Sequence, residues 1–210
     1  MVQQVPGLKA LIVDDTTRGI VLSCYTPTAL AEQAIVIGPE SLSACLARRI
    51  RHRHVRAVVW ICPTEDNIQQ LCSELQDPSF AEYHVCFSSR DDHSMTNFVR
   101  RLAIADKFEV VRDVSECLGE CVAISPDMFA LEVAPSQEEM SYSERVRRLQ
   151  SVILSLGRQP IIRYSKNSEQ ATAMAQKLST SMAAAQGLDE VTAGGRRALL
   201  LIVDRADDPF

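Results

Sequence analysis

No apolar run in this chain approaches the ~20 residues that a membrane-spanning helix requires. The first residues also lack the charged-then-apolar layout of a secretion signal. Seven cysteines, an odd number, are scattered through apolar runs and helix-compatible stretches, with no C-x-x-C pair among them. That usage excludes a disulfide framework and fits thiols kept reduced in the cytosol. Cys117 and Cys121 stand four apart but have no histidines at zinc-like spacing, so they read as small hydrophobes. Missing too are the phosphate loop G-x-x-x-x-G-K-[ST], the dinucleotide fingerprint G-x-G-x-x-G, the nucleophile elbow G-x-S-x-G and the zinc motif H-E-x-x-H. Each of these absences removes a class of enzyme. With 27 acidic against 22 basic residues the net charge is −5, which argues against a dedicated nucleic-acid binder.

What is there is an ordinary globular composition, 46% hydrophobic and 23% charged, over 210 residues. That length suits one large domain or two small ones. Short β-rich apolar runs alternate with longer helix-compatible segments, the sign of a parallel sheet covered on both faces. The pattern predicts strands at 9–13, 34–37, 56–62, 83–87 and 109–111, with helices near 28–32, 40–50, 65–76 and 92–105. Segment 16–24 is ambiguous: "GIVLSC" has strand composition, but a connection between parallel strands calls for a helix. The 65–76 helix has the clearest signals. Pro63 stops the preceding strand, Thr64 can cap, and Glu65 and Asp66 occupy the positive first turn. Ile68, Leu71, Cys72 and Leu75 then form one apolar stripe, and Pro78 ends the helix.

The polar stretch "APSQEEMS" reads as a linker dividing 1–134 from 135–210. A second α/β set follows, with a helix at 142–156, a strand at 161–164, a helix at 168–185, the turn "TAGGRR" and a strand at 199–204. These elements are too few to close a layered domain. The expected fold class is therefore α/β: a parallel five-stranded sheet flanked by helices, with receiver- or flavodoxin-like layering, followed by an incomplete second α/β domain. The chain reads as part of a longer protein. Aliphatic side chains on 199–203 or on the 142–156 helix are then expected to be exposed.

Two carboxylates, Asp14 and Asp15, end the first strand, as in a magnesium-dependent phosphorelay receiver. A receiver also needs an Asp ending the third strand and a Lys ending the fifth. Here the third strand ends Ile61-Cys62-Pro63 and the fifth continues Arg112-Asp113. Ser88 and Ser89 after the fourth strand are a weak match, because serine is common after strands. Without a third carboxylate a magnesium site is short of protein oxygens. Asp204 invites a Walker-B reading but has no phosphate loop to serve. The basic run "RRIRHRHVR" at 48–56 lacks interleaved aromatics, and reads as a solvated helix C-terminus.

The segments "PGLKALIVDDTTRGIVLSCYT", "VRAVVWICPTEDNIQQLCSELQDPSFAEYHVCFSS", "CVAISPDMFALEV", "LGRQPIIRYSKNSEQATAMAQKL" and "LLLIVDRADDPF" resemble the Sec-one/Munc-eighteen (SM) family, cytosolic regulators of SNARE-mediated membrane fusion. The likeness is collinear over about residues 7–210. Its most specific parts are the P-T-E-x-N block with the following D-P and Tyr, and the closing strand with D-R-x-D-D-P. The D-x-x-T-x-x-I-V beginning and "PIIRY" look most like the vacuolar-protein-sorting branch acting at trans-Golgi and endosomal membranes. The family pattern departs at the start, where a helix precedes the first strand and only "MVQQVP" stands here.

The resemblance implies that 1–134 is SM domain 1 and 135–210 the first segment of domain 2. It implies no enzyme and no cofactor. The implied function is a SNARE-binding regulator of vesicle docking and fusion, with a Qa-SNARE (syntaxin) or the assembled SNARE complex as partner. The location implied is cytoplasmic, peripheral to Golgi and endosomal membranes through the SNARE. Asp15, Thr16, Thr17 and Arg18 would line a partner cleft. Val99, Leu102, Ala103, Val111 and Glu116 would form an outer pocket for the syntaxin N-terminal peptide. Helix capping by Asp14 and Thr17, and core packing of Leu102, are the competing structural readings. The rival functional reading is a receiver-like domain or a site for a small phosphorylated ligand at the carboxyl ends of the strands, near Asp14, Asp15, Pro63 and Ser88.

Overall fold

The structure, a computed structural model, describes residues 2–48, 51–89, 95–131, 141–157, 160–184 and 198–207. Most of the expected linker, the "TAGGRR" turn and the start of the expected 92–105 helix lie outside the described residues. The chain forms two compact units, Met1–Pro135 and Ser136–Phe210.

In the first unit five strands, β1 (Lys9–Val13), β2 (Ile35–Ser41), β3 (His52–Ile61), β4 (Phe80–Phe87) and β5 (Val111–Glu116), form one parallel sheet in the order β2-β1-β3-β4-β5. This is the flavodoxin-like doubly wound order, and it fits the parallel five-stranded sheet expected. Between the strands run α1 (Asp15–Cys24), α2 (Pro27–Glu32), α3 (Leu42–Arg48), α4 (Glu65–Gln76) and α5 (Met95–Ala105). Alternate residues of a strand point to opposite faces, so the inner strands β1 and β3 feed two cores. Ala10, Ile12, Val59, Ile61, Val85 and Phe87 join Leu42, Ile68, Leu71 and Leu102 in the larger one. Leu11, Val13 and Val58 join Val21 and Leu30 in the smaller.

The open reading at 16–24 and two differences from expectation have local causes. Segment 16–24 is helical, because Asp14 and Thr17 close a capping box at its start. The basic run is corrected as well: from His52 onward it is strand, extending β3, and not a helix C-terminus. The His52 N–H donates to the Ser79 carbonyl (2.6 Å), its ring stacks on Phe80, and Val55 is buried. The fifth strand starts at Val111 where 109–111 was expected. Both Asp106 carboxylate oxygens accept from the N–H groups of Val110 and Val111 (2.9 Å each), and Glu109 has φ +55°. Those contacts hold 106–110 as a turn and delay the strand. Past β5, β6 (Val122–Ser125) and β7 (Met128–Ala130) pair antiparallel.

The second unit contains α6 (Tyr142–Ser155), β8 (Ile161–Tyr164), α7 (Glu169–Ala184) and β9 (Leu199–Ile202), with β8 and β9 parallel. Val146 and Ile153 of α6 and Leu178 and Met182 of α7 form its core, against which Ile162 and Leu200 pack. Leu199, Leu201 and Val203, alternate residues on one face, are more than 60% exposed, as expected for 199–203. A two-stranded sheet with one bare apolar face is an open arrangement.

Candidate functional site

At the carboxyl edge of the first sheet the Asp14 carboxylate is a structural hub. Its Oδ1 accepts from the Thr17 N–H (2.8 Å), and its Oδ2 from the Cys62 N–H (2.6 Å) and from Asn67 Nδ2 (2.8 Å). Asp14 thus caps α1 and ties it to the end of β3. Thr17 is fully buried, and its hydroxyl donates to the Trp60 carbonyl (2.8 Å). The expected cleft is corrected at this residue: a side chain committed to β3 has no face for a partner. Asp15 and Arg18 are exposed on the same turn of α1, with Thr16 half-buried beside them.

The other polar groups at this edge are also committed inward. Buried Ser88 donates its hydroxyl to Glu120 Oε1 (2.6 Å), and the Cys62 thiol donates to the same oxygen (3.4 Å). Burial, then the Asp14 and Glu120 carboxylates, push the Cys62 thiol far above its ordinary range. It is a hydrogen-bond donor held away from the thiolate form a nucleophile needs. Among the described residues no group of three or more His, Cys, Asp and Glu is placed to hold a metal ion. Incubation with magnesium and acetyl phosphate or beryllofluoride should therefore leave the protein unmodified and its melting midpoint unchanged. A midpoint rise that disappears in Asp15→Asn would restore the phosphate-site reading.

On the far side of the sheet, α5 turns Phe98, Leu102 and Ala105 into the core. Leu102 is 1% exposed, which corrects its expected place in an outer pocket. The helix stripe centred on Phe98 is completed by Leu102 four residues on, so both face the sheet. Arg101 marks one flank of α5 by its ion pair with Glu65 of α4. Val99 and Ala103 lie on the opposite flank with Asp106, whose carboxylate holds the start of β5. Val99 is 37% exposed, Ala103 is exposed, and Val111 and Val114 are half-buried against the core. Glu116 is exposed at the end of β5, which pairs only with β4 among the described residues. Glu116 lines a cavity with Val5, His84, Asp113 and Ser115, and no residue of α5 takes part in it.

Two arginines of the basic run, Arg51 and Arg56, meet neighbouring acids. Arg51 forms a forked contact with Asp77 (2.6 and 2.8 Å), while Arg56 (2.7 Å) and Arg112 (3.2 Å) share Glu82. The hydrogen bond from Arg56 holds the Glu82 carboxyl below its ordinary range.

Among the residues that sequence reasoning did not single out, Asn67 and Glu120 complete the polar edge. Asn67 had a signal, as the last member of the P-T-E-x-N block, but nothing in its spacing showed that it turns inward. No helix among the described residues is long and apolar enough to cross a membrane.

A family model described as the Sec1 family matches residues 9–210. Vacuolar protein sorting-associated protein 45 of Dictyostelium discoideum is 32% identical over an alignment 212 residues long that covers 98% of this chain and 36% of that protein. Its human counterpart is 30% identical over an alignment 208 residues long that covers 97% of this chain and 35% of that protein. The solved structure of the SM protein Vps45 in complex with the Qa SNARE Tlg2 superposes with a TM-score of 0.85 at 26% identity, covering 98% of this chain and 37% of that chain. The chain thus spans little more than a third of the length of the relatives it matches.

Proposed function

This chain belongs to the Sec1 family, and on that premise we propose that it is a binding module for a Qa-SNARE of the syntaxin type, acting in vesicle docking and membrane fusion without catalysing a reaction. The observation that carries the reading is likeness along nearly the whole chain to a Vps45 structure in complex with a Qa SNARE. In this reading 1–134 is SM domain 1 and 135–210 the first segment of domain 2. The protein is cytoplasmic and reaches Golgi and endosomal membranes by holding the SNARE.

Two surfaces divide the work. Asp15 and Arg18, with Thr16 beside them, form a charged rim on α1 that orients the helical part of the SNARE. Exposed ion pairs of this kind contribute orientation and association rate more than affinity. The flank of α5 with Val99 and Ala103, together with Val111 and Glu116, takes the SNARE's N-terminal peptide. One apolar side chain seated there contributes ~1.5–3 kcal/mol, enough for a short anchor of modest affinity.

Calorimetry with a Qa-SNARE N-terminal peptide tests the second surface. Ala103→Arg, at an exposed position, should keep the melting midpoint of the parent and weaken the peptide at least tenfold. Full affinity in a folded Ala103→Arg chain removes the α5 flank from the reading.

A further inference from the structure

We infer that Asn67 is a positioning residue for the SNARE-orienting rim of α1, acting through Asp14. The inference rests on the reading that Asp15 and Arg18 meet the partner.

A cap alone joins a helix only to the strand that precedes it. Here the connection goes further. Asn67 occupies the third position of α4, after the Thr64 cap, where an asparagine side chain ordinarily stands in water. Its amide turns inward, and Nδ2 donates both to Asp14 Oδ2 (2.8 Å) and to the Cys62 carbonyl (2.9 Å). The same Asp14 oxygen accepts from the Cys62 N–H, and the other Asp14 oxygen from the Thr17 N–H. The first turn of α1, the end of β3 and the first turn of α4 are therefore held through one carboxylate and one amide. Thr17, bonded to the Trp60 carbonyl, adds a second tie from α1 to β3.

Asp15 and Arg18 follow the capping residue by one and four positions and are exposed. Any rotation of α1 about its axis moves both charges together. Binding constellations tolerate only ~0.5 Å and ~10–20° of error before recognition suffers. Asn67 supplies the tie from α4 that fixes this rotation, while making no contact with a partner itself. The Asp14 cap can keep α1 helical without Asn67, so helix formation and helix orientation are separable.

The test uses the whole 210-residue chain and Tlg2 (1–310), the form of that Qa SNARE in a solved complex with Vps45. Asn67→Ala should remain folded by circular dichroism and bind Tlg2 at least tenfold more weakly. Its affinity for an isolated Qa-SNARE N-terminal peptide should equal that of the parent. The Asp15→Ala/Arg18→Ala pair should lose a similar amount, and adding Asn67→Ala to that pair should cost nothing further. Asn67→Ser, which keeps one donor, serves if the alanine variant does not fold, and should show a smaller loss with the same non-additivity. Unchanged Tlg2 affinity, or losses that add in the triple variant, would overturn the positioning role while leaving the binding function intact. A parent chain that binds neither Tlg2 nor the peptide overturns the functional reading itself, and this inference with it.

Discussion

A chain carrying Leu102→Arg will not fold its first unit. Leu102 is 1% exposed and belongs to the cluster containing Ile68, Leu71, Val85, Phe87 and Phe98. Truncating a leucine in such a place costs ~2–5 kcal/mol. An arginine adds the penalty of a guanidinium taken out of water without a carboxylate to meet it, several kcal/mol more. Domains of this size have only ~5–15 kcal/mol in total. The neighbouring substitution Ala103→Arg turns its charge into water and should stay within ~0.5 kcal/mol of the parent. Melting curves of the two variants side by side decide the matter. A Leu102→Arg protein with a cooperative transition near the parent's would show that Leu102 is not a core residue, and would return it to the outer surface.

The contrast between residues 102 and 103 shows where sequence reading stops. Periodicity on α5 identifies which residues share a face, but Phe98, Val99, Leu102 and Ala103 all recur at helical spacing. Which part of that arc turns inward depends on where the neighbouring helix sits. The Arg101–Glu65 pair, 36 residues apart, fixes that azimuth. No local pattern encodes it. The sheet was more legible, because its signal is local: β1 and α4 run over the ranges that apolar runs and capping residues predict. The misread boundaries share another cause. At β5 a side chain just past the previous helix, Asp106, occupies the backbone donors of the expected strand start. At β3 the polar half of the strand is specified by pairing with β4 rather than by its own composition.

The carboxylates at the end of β1 illustrate a different limit. Asp14 and Asp15 are adjacent and chemically identical, yet one is a cap bonded to β3 and α4 and the other is exposed. Sequence reasoning could reject a receiver, because the missing third-strand Asp and fifth-strand Lys are visible as absences. It could not place Asn67 or Glu120 against these strands. Both reach their partners across more than thirty residues of chain, Asn67 to Asp14 and Glu120 to Ser88 and Cys62. The edge where an α/β enzyme would hold its substrate is here filled with internal hydrogen bonds. The recognition proposed above uses the outer faces of α1 and α5 instead.

Tyr83→Phe should be the most damaging conservative change in the first unit, because it disarms a buried carboxylate. Glu74 sits in the apolar stripe of α4, 3% exposed, a place where sequence reasoning expects only hydrophobes. The Tyr83 hydroxyl, itself buried, donates to Glu74 Oε1 and accepts from the Ser79 (3.0 Å) and Phe80 (3.2 Å) N–H groups. The Ser79 N–H also donates to Glu74 Oε1 (3.0 Å), so the turn between α4 and β4 is held by this group of atoms. Burial, followed by the hydrogen bond to Glu74, pushes the Tyr83 phenol well above its ordinary ~10. A phenol raised in the folded state contributes its full stability below that ordinary value, and the contribution is lost as the pH climbs past it. At neutral pH, deleting the hydroxyl withdraws one donor from a buried carboxylate and one acceptor from the turn, a loss of ~2–4 kcal/mol. For a unit of this size that lowers the midpoint by ~6–12 °C. Replacing both partners, as Tyr83→Phe with Glu74→Met, removes the stranded acceptor along with its donor and should recover part of the loss. Thermal melts of the two single variants and the double variant provide the check. A Tyr83→Phe midpoint within a degree of the parent, or a double variant less stable than either single one, would mean that the buried carboxylate is satisfied without this hydroxyl.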